Sequence, residues 1–161
     1  MSGLHRVTLT LRSPEATAAF ARRLAPRLAV GDTLLLAGPV GAGKSHFARA
    51  LIAALLTEPE DIPSPTYTLV QGYDGRSGPV RHADLYRLGD PGELTELGLE
   101  EAFGSAICLV EWPERLGEMA PKDALHLTLA PTEDPEARRL DISWTAARWD
   151  ATMRELADAV A

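Results

Sequence analysis

The sequence predicts a single α/β domain whose mixed parallel and antiparallel sheet is flanked by helices. Three observations predict this class: a glycine-rich loop separates an apolar strand from a helix, further apolar strands alternate with helices, and two pairs of strands are joined across turn signals. A length of 161 residues suits one domain with a substantial core and is too short for two comfortable ones. We therefore assign residues 1–161 to one domain.

The N-terminal half of the chain predicts strand, helix, strand and helix in that order. HRVTLTL alternates and predicts the first strand, and Ser13 and Pro14 supply an N-cap and a first helical residue for a helix that Pro26 ends or kinks. The apolar run DTLLLA predicts a strand covered on both faces. After the glycine loop, a second helix is expected over about residues 43–56, because its apolar residues recur every four positions.

The C-terminal half predicts two hairpins, a buried strand and two helices. TYTLVQGY and PVRHADLYRL flank the turn signal DGRSG, and ALHLTLAP and RRLDISW flank a polar loop, so each pair predicts a hairpin. GDPGELTELGLEEAF predicts a turn and one short helix, AICLVEW a buried strand, and TAARWDATMRELADAV a closing helix. We expect Trp144 and Trp149 to be core residues first and partner contacts second, and Arg138 and Arg139 to lie in a late loop.

Composition and charge favour a cytoplasmic protein that does not itself hold nucleic acid. The net charge of −7 would repel an RNA unless a local basic patch opposed it. Cys108 is the one cysteine, which excludes an internal disulfide and favours a reducing compartment. No apolar stretch is long enough to span a bilayer, and the first residues lack the pattern of a secretory signal. We expect no membrane partner.

The segment GPVGAGKS matches the P-loop pattern Gly38-x-x-x-x-Gly43-Lys44-Ser45 without a mismatch. Glycines allow successive backbone N–H groups to point at one anion, and the helix N-terminus adds partial positive charge. We expect Lys44 to reach the β- and γ-phosphates of a nucleotide and the Ser45 hydroxyl to coordinate Mg²⁺. The alternative is a chance glycine turn before a helix. The other predicted nucleotide contacts are Val40, Gly41, Ala42 and His46.

Two acidic residues are candidates for a further Mg²⁺ ligand. Glu111 ends the buried strand AICLV, and Asp84 follows the weaker strand PVRHA. We favour Glu111 for the metal, directly or through water, with Asp84 as the alternative and as a candidate to orient an attacking water. In PSPTYTLV, prolines hold the backbone extended, so Thr66 either contacts Mg²⁺ or the γ-phosphate or merely opens a strand.

The nucleotide base is expected to be adenine. G-protein GTPases recognise guanine with an Asn-Lys-x-Asp loop, and this chain contains no asparagine. ATP is therefore the favoured ligand, with Mg²⁺ as its companion ion.

Five segments, in this order, resemble the bacterial TsaE (YjeE) family: GPVGAGKS, SPTYTLV, HADLYRL, ELTELGLEE and ICLVEWPE. The resemblance extends over about residues 31–114. It implies a P-loop ATPase that works with a complex of two proteins, TsaD and TsaB. That complex forms N6-threonylcarbamoyladenosine at position 37 of tRNAs that read ANN codons. The tRNA would be held by those partners and contacted only indirectly.

The resemblance also implies roles for single residues. By motif position, Lys44 and Ser45 take the P-loop roles, and Glu111 matches an acidic residue beside Mg²⁺. Thr66 and Asp84 match further active-site positions. The remaining matched position is Trp112, a tryptophan near the nucleotide. Ser45 followed by His46 is a departure, because the family more often shows two threonines there.

Two other functions remain open on the residues alone. A small-molecule kinase of the P-loop class usually closes an arginine-bearing lid over the phosphates, and no insertion here resembles a lid. A nucleotide-gated binding module would use ATP to stabilise a docking shape, and hydrolysis would be incidental.

Overall fold

The computed structural model describes residues 3–58, 60–62, 69–90 and 92–160, except for the side chains of residues 159 and 160. Its strands and α-helices follow one another as β1 (His5–Leu11), α1 (Pro14–Leu24), β2 (Thr33–Ala37), α2 (Lys44–Leu55), β3 (Val70–Gly75), β4 (Gly78–Asp84), α3 (Glu93–Glu96), α4 (Leu99–Ser105), β5 (Ile107–Glu111), β6 (Leu125–Pro131), β7 (Arg138–Trp144) and α5 (Asp150–Val160). Short 3₁₀ helices cover Ala25–Arg27, Pro113–Met119 and Ala147–Trp149. None of the described helices is long and apolar enough to cross a membrane.

The seven strands form one mixed sheet in the order β1-β7-β6-β2-β5-β4-β3. Strand β2 pairs in parallel with β5 and β6, and β4 pairs in parallel with β5. The other three pairs, β3 with β4, β6 with β7 and β1 with β7, are antiparallel. The predicted fold class and both predicted hairpins are confirmed. The parallel centre matters for function, because β2, β4 and β5 all end at the same edge of the sheet.

The central strand β2 is buried on both faces, as its continuous apolar run predicts. Leu34 and Leu36 pack in a core with residues of α1, α2 and α5, such as Phe47. Leu35 packs on the opposite face with Leu94 and other residues of the segment before β5. Period-two alternation places neighbouring residues on opposite faces, so this one short strand contributes to both cores.

The helix next to the sheet edge begins as the sequence predicts. The Ser13 hydroxyl accepts a hydrogen bond from the Ala16 backbone N–H at 3.1 Å, and Pro14 is the first residue of α1. Trp144 and Trp149 are buried, which confirms them as core residues. The indole N–H of Trp144 donates to Asp150, and that of Trp149 donates to the Asp123 carbonyl. Both buried donors therefore have a hydrogen-bond acceptor.

Three local expectations differ from the structure. The segment predicted as one short helix forms α3 and α4, because Gly98 has a φ of +74° between them. The closing helix starts as a 3₁₀ turn at Ala147–Trp149 before α5. Arg138 and Arg139 were expected in a late loop, and that expectation is wrong: they are the first two residues of β7, in agreement with the strand predicted over RRLDISW, because β7 pairs with β6 up to the end of the hairpin.

Candidate functional site

The glycine loop, residues 38–43, joins the end of β2 to the first turn of α2. Gly38, Gly41 and Gly43 have φ angles of +143°, +84° and +94°, values that side chains disfavour. At Gly38 space adds a second requirement, because a Cβ there would lie 2.4 Å from the Leu129 carbonyl oxygen. Backbone conformation and close packing therefore both explain the glycines of the motif.

A cavity of about 370 Å³ opens beside the glycine loop and the start of α2. Its lining comes from three separate stretches of the chain: Val40, Gly41, Gly43, Lys44, Ser45, His46 and Arg49; Asp84; and Glu111 and Trp112. Most of the residues predicted for the site thus meet at one cavity. Thr66, predicted as a further contact, lies outside the described residues.

Two predicted contacts are absent from this lining. Ala42 is buried, and its N–H donates to the Pro39 carbonyl at 3.1 Å. The Gly38 carbonyl accepts a hydrogen bond from Lys44. Both residues therefore stabilise the glycine loop itself. The Ala42 N–H is hydrogen-bonded to Pro39 and is not available to a phosphate.

Lys44 is held at the cavity by two contacts. Its Nζ donates to the Gly38 carbonyl at 2.6 Å and lies 3.4 Å from the centre of the Trp112 ring. Burial lowers the pKa of Lys44, and the nearby carboxylates, Glu111 foremost, oppose that shift. A carbonyl and an aromatic face are weak partners for an ammonium compared with a phosphate, so Lys44 is positioned to exchange them.

Trp112 has an unusual backbone conformation. Its φ of +58° and ψ of +53° are left-handed, which costs energy for a side chain of this size. The bend directly follows β5 and brings the indole to the cavity, where it also packs on Tyr86 with ring centres 4.8 Å apart. Strain of this kind is common at functional sites, and here it places an aromatic ring over Lys44.

Asp84 and Glu111 are neighbours across the parallel strands β4 and β5. Glu111 is buried, and its Oε2 lies 2.7 Å from Nε2 of His82, which is equally buried. Asp84 Oδ1 accepts a hydrogen bond from the Tyr86 N–H at 3.0 Å. Burial raises the pKa of Asp84, the charge of Glu111 adds to this effect, and the Tyr86 N–H opposes it. Two carboxyl groups thus meet beside Lys44 and Ser45.

Sequence reasoning missed three residues of this region. Arg49 follows Ser45 by four residues, so its place on the same helix face was available from the sequence. The contact between His82 and Glu111 depends on β4 pairing with β5, for which the sequence holds no direct signal. Arg138 contacts the glycine loop from β7, and only the sheet order brings the two together.

The donor set fits a magnesium nucleotide better than a resident metal. Within the described ranges, no group of three or more His, Cys, Asp or Glu residues is placed to hold a metal ion. Mg²⁺ commonly takes one or two carboxylates and completes its shell with water and phosphate oxygens. Ser45, Glu111 and Asp84 could supply protein ligands of that kind. The free N–H groups at the start of α2 and the Lys44 ammonium could hold phosphates.

Comparison with known proteins identifies the family. A family model described as threonylcarbamoyl adenosine biosynthesis protein TsaE matches residues 11–140. The tRNA threonylcarbamoyladenosine biosynthesis protein TsaE of Rickettsia conorii is 39% identical over 120 residues, covering 74% of this chain and 69% of that protein. The protein of the same description from Bacillus subtilis is 34% identical over 146 residues, 89% of each chain.

A solved structure gives the same answer for the fold. The crystal structure of YdiB from Bacillus subtilis matches with a TM-score of 0.80 and 27% sequence identity, over 99% of both chains. The family model covers most of the present chain and includes the glycine loop, Asp84 and Glu111. The chain therefore belongs to the TsaE family of threonylcarbamoyl adenosine biosynthesis proteins.

Proposed function

We propose that this chain is a P-loop ATPase that binds ATP with Mg²⁺ and hydrolyses it to support the formation of N6-threonylcarbamoyladenosine at position 37 of tRNAs that read ANN codons. Membership of the family supports the pathway. The observation on which the ATPase proposal rests is the meeting of Lys44, Asp84 and Glu111 at one cavity beside the glycine loop. A phosphate-binding loop, a cation and two carboxylates are the parts that phosphoryl transfer to water requires.

Lys44 and backbone N–H groups would bind the phosphates. The first turn of α2 leaves N–H groups without helical partners, and the helix dipole favours an anion at that end. Lys44 would leave the Gly38 carbonyl and the Trp112 ring for the β- and γ-phosphate oxygens. The Lys44 ammonium thus has a hydrogen-bond acceptor or a counter-charge before and after the nucleotide binds.

Ser45 and Glu111 would hold the Mg²⁺ ion. The bound ion supplies positive charge that offsets the charge developing on the transferred phosphoryl group. His82 fixes the Glu111 carboxylate through one oxygen, so Glu111 is preset to face the cavity edge where β4 and β5 end.

Asp84 is our candidate to orient the attacking water. Its Oδ1 is engaged by the Tyr86 N–H, which fixes the carboxyl group in the cavity lining. A raised pKa makes the carboxylate a better proton acceptor than an ordinary aspartate. Thr66 would contact the γ-phosphate or Mg²⁺, a role that the family pattern alone supports.

The partners proposed for this activity are TsaD and TsaB, which would hold the tRNA. A net charge of −7 is consistent with a protein that leaves nucleic-acid binding to others. We propose the cytoplasm as the compartment, because the one cysteine, Cys108, is buried and free.

The test is ATP hydrolysis by the purified chain alone and with the TsaD–TsaB complex and tRNA. We expect slow release of phosphate by the chain alone and faster release with the complex. A phosphorylated small molecule in place of free phosphate would favour a kinase. Normal tRNA modification by Asp84→Asn and Glu111→Gln variants that have lost hydrolysis would favour a nucleotide-gated binding module.

A further inference from the structure

Arg138 binds the glycine loop from outside the motif. Its Nε donates to the Ala42 carbonyl at 3.0 Å, and its Nη2 lies 3.5 Å from the Gly41 carbonyl. Its Nη1 donates to the carbonyls of Pro135 and Ala137, both at 2.9 Å. One guanidinium therefore ties two carbonyls of the glycine loop to two carbonyls of the β6–β7 hairpin.

This arginine is engaged by carbonyl groups and not by an acid. Within the described part of the chain, no carboxylate lies within 4.0 Å of the Arg138 guanidinium, whereas the neighbouring Arg139 pairs with Asp141 at 3.4 Å. A planar guanidinium can satisfy several carbonyls at fixed angles, which an ammonium cannot do. The contact is thus suited to holding backbone in one orientation.

The Ala42–Gly43 peptide is the part of the loop that this contact orients. The described peptide bonds are all trans, so the carbonyl oxygen and the N–H of one peptide point to opposite sides. Arg138 holds the Ala42 oxygen, and Arg138 and Gly43 both line a second cavity of about 280 Å³. Gly43 also lines the candidate nucleotide cavity, which Arg138 does not line. The Gly43 N–H therefore points away from the Ala42 oxygen that Arg138 holds, and Gly43 itself borders the candidate nucleotide cavity.

The same hairpin supports the other end of the loop. The Leu129 carbonyl of β6 lies so close to Gly38 that a Cβ there would be 2.4 Å away. Both ends of the glycine loop thus rest on β6 and β7, which are remote from it in sequence. In phosphate-binding loops the amide directions determine affinity, and here a partner outside the motif constrains them.

We propose that Arg138 is a positioning residue for the phosphate-binding loop: it holds the Ala42–Gly43 peptide so that the Gly43 N–H can donate to a phosphate. This inference deepens the proposed function and rests on it. Arg138 acts on the phosphates through the backbone and not by contact with the nucleoside. Its loss should therefore weaken every polyphosphate ligand, with or without a base.

Calorimetric titration with Mg-ATP and with Mg-tripolyphosphate tests this role. The first variant, Arg138→Gln, removes the charged guanidinium. The second, Arg138→Lys, keeps the positive charge but cannot donate to the Ala42 and Gly41 carbonyls at the same time. The matched control is Arg139→Gln, an exposed neighbour that does not touch the loop. Thermal unfolding of each ligand-free variant separates a loss of affinity from a loss of folding.

We expect Arg138→Gln to weaken both ligands by about tenfold, the loss typical of one hydrogen bond to a charged group, and Arg138→Lys to weaken both by less. Arg139→Gln should stay within about twofold of wild type. If Arg138→Gln does not fold, Arg138→Lys decides the question. Unchanged affinity in a folded variant overturns the inference, as does a loss confined to Mg-ATP, which would indicate contact with the nucleoside. Failure of the wild-type protein to bind either ligand would instead overturn the proposed function itself.

Discussion

His82 Nε2 lies 2.7 Å from Glu111 Oε2, and both side chains are only 2% exposed. An ionised carboxylate can only accept, so Nε2 carries the hydrogen and donates it to Glu111. The other ring nitrogen, Nδ1, is buried and has no hydrogen-bond partner among the described residues. One buried donor therefore fixes one of the two carboxylates at the site.

Replacing His82 should destabilise the protein through Glu111. His82→Ala leaves a buried carboxylate without its donor, so we expect the free energy of unfolding to fall by about 1–3 kcal/mol. His82→Gln retains an N–H donor and should lose less. Urea unfolding monitored by circular dichroism measures both. Equal stability of His82→Ala and wild type would show that the contact does not support Glu111.

The ionised Asp84 carboxylate should lower the free energy of unfolding of the protein at neutral pH when no nucleotide is bound. Burial raises its pKa, so the folded protein binds this proton more tightly than the unfolded chain does. The stabilisation from the protonated form is therefore present at acid pH and is lost as the pH rises through the raised value. Asp84→Asn should be at least as stable as wild type at pH 7, and the difference should vanish below about pH 4.

The same substitution should impair turnover. If Asp84 orients the water, Asp84→Asn should lower ATP hydrolysis by about 100-fold while the protein remains folded. Denaturant unfolding between pH 4 and 8 measures the predicted stability of Asp84→Asn, and phosphate release measures its predicted loss of turnover. A variant that is less stable at pH 7 and fully active would contradict both the burial argument and the role.

The fold was predictable because its local signals agree with its tertiary contacts. Leu34, Leu35 and Leu36 are consecutive apolar residues, and burial on both faces of β2 follows directly from that run. The break at Gly98 was not predicted, because a lone glycine in a helical pattern is often tolerated. Arg138 and Arg139 fitted two patterns, the start of the strand RRLDISW and the end of a polar loop, and only the strand is right.

The site was predictable where one motif defines it and not where the sheet assembles it. Lys44 and Ser45 follow from the glycine spacing, and Glu111 from the end of a buried strand. By contrast, the contact of His82 with Glu111 and that of Arg138 with Ala42 join segments far apart in sequence. Only strand order decides such pairings, and periodicity contains no information about strand order.

The fluorescence of Trp112 should change when Lys44 moves away from its ring. The ammonium lies 3.4 Å from the indole centre, and binding of a polyphosphate should draw it away. We expect the tryptophan emission to change on addition of Mg-ATP. Trp112→Phe should abolish the change, because Trp144 and Trp149 are buried away from the cavity lining. A response that persists in Trp112→Phe would contradict this placement of Lys44.

Cys108 should be inert in the folded protein. It is fully buried, its thiol donates to the Ala102 carbonyl at 3.3 Å, and burial raises its pKa to about 12. The reactive thiolate is therefore negligible at pH 8. Alkylation by iodoacetamide, followed by mass spectrometry, should modify Cys108 only after denaturant is added. Rapid labelling of the native protein would show that this part of the core is open.

Binding of Mg-ATP tests the central claim most directly. The chain has only two lysines, Lys44 in the glycine motif and the exposed Lys122, so the test has an internal control. Isothermal calorimetry should detect Mg-ATP binding by wild type and by Lys122→Ala, and a loss of at least about tenfold in affinity for Lys44→Ala. No heat of binding for folded wild-type protein, or equal affinities for all three proteins, would contradict a triphosphate held by this loop.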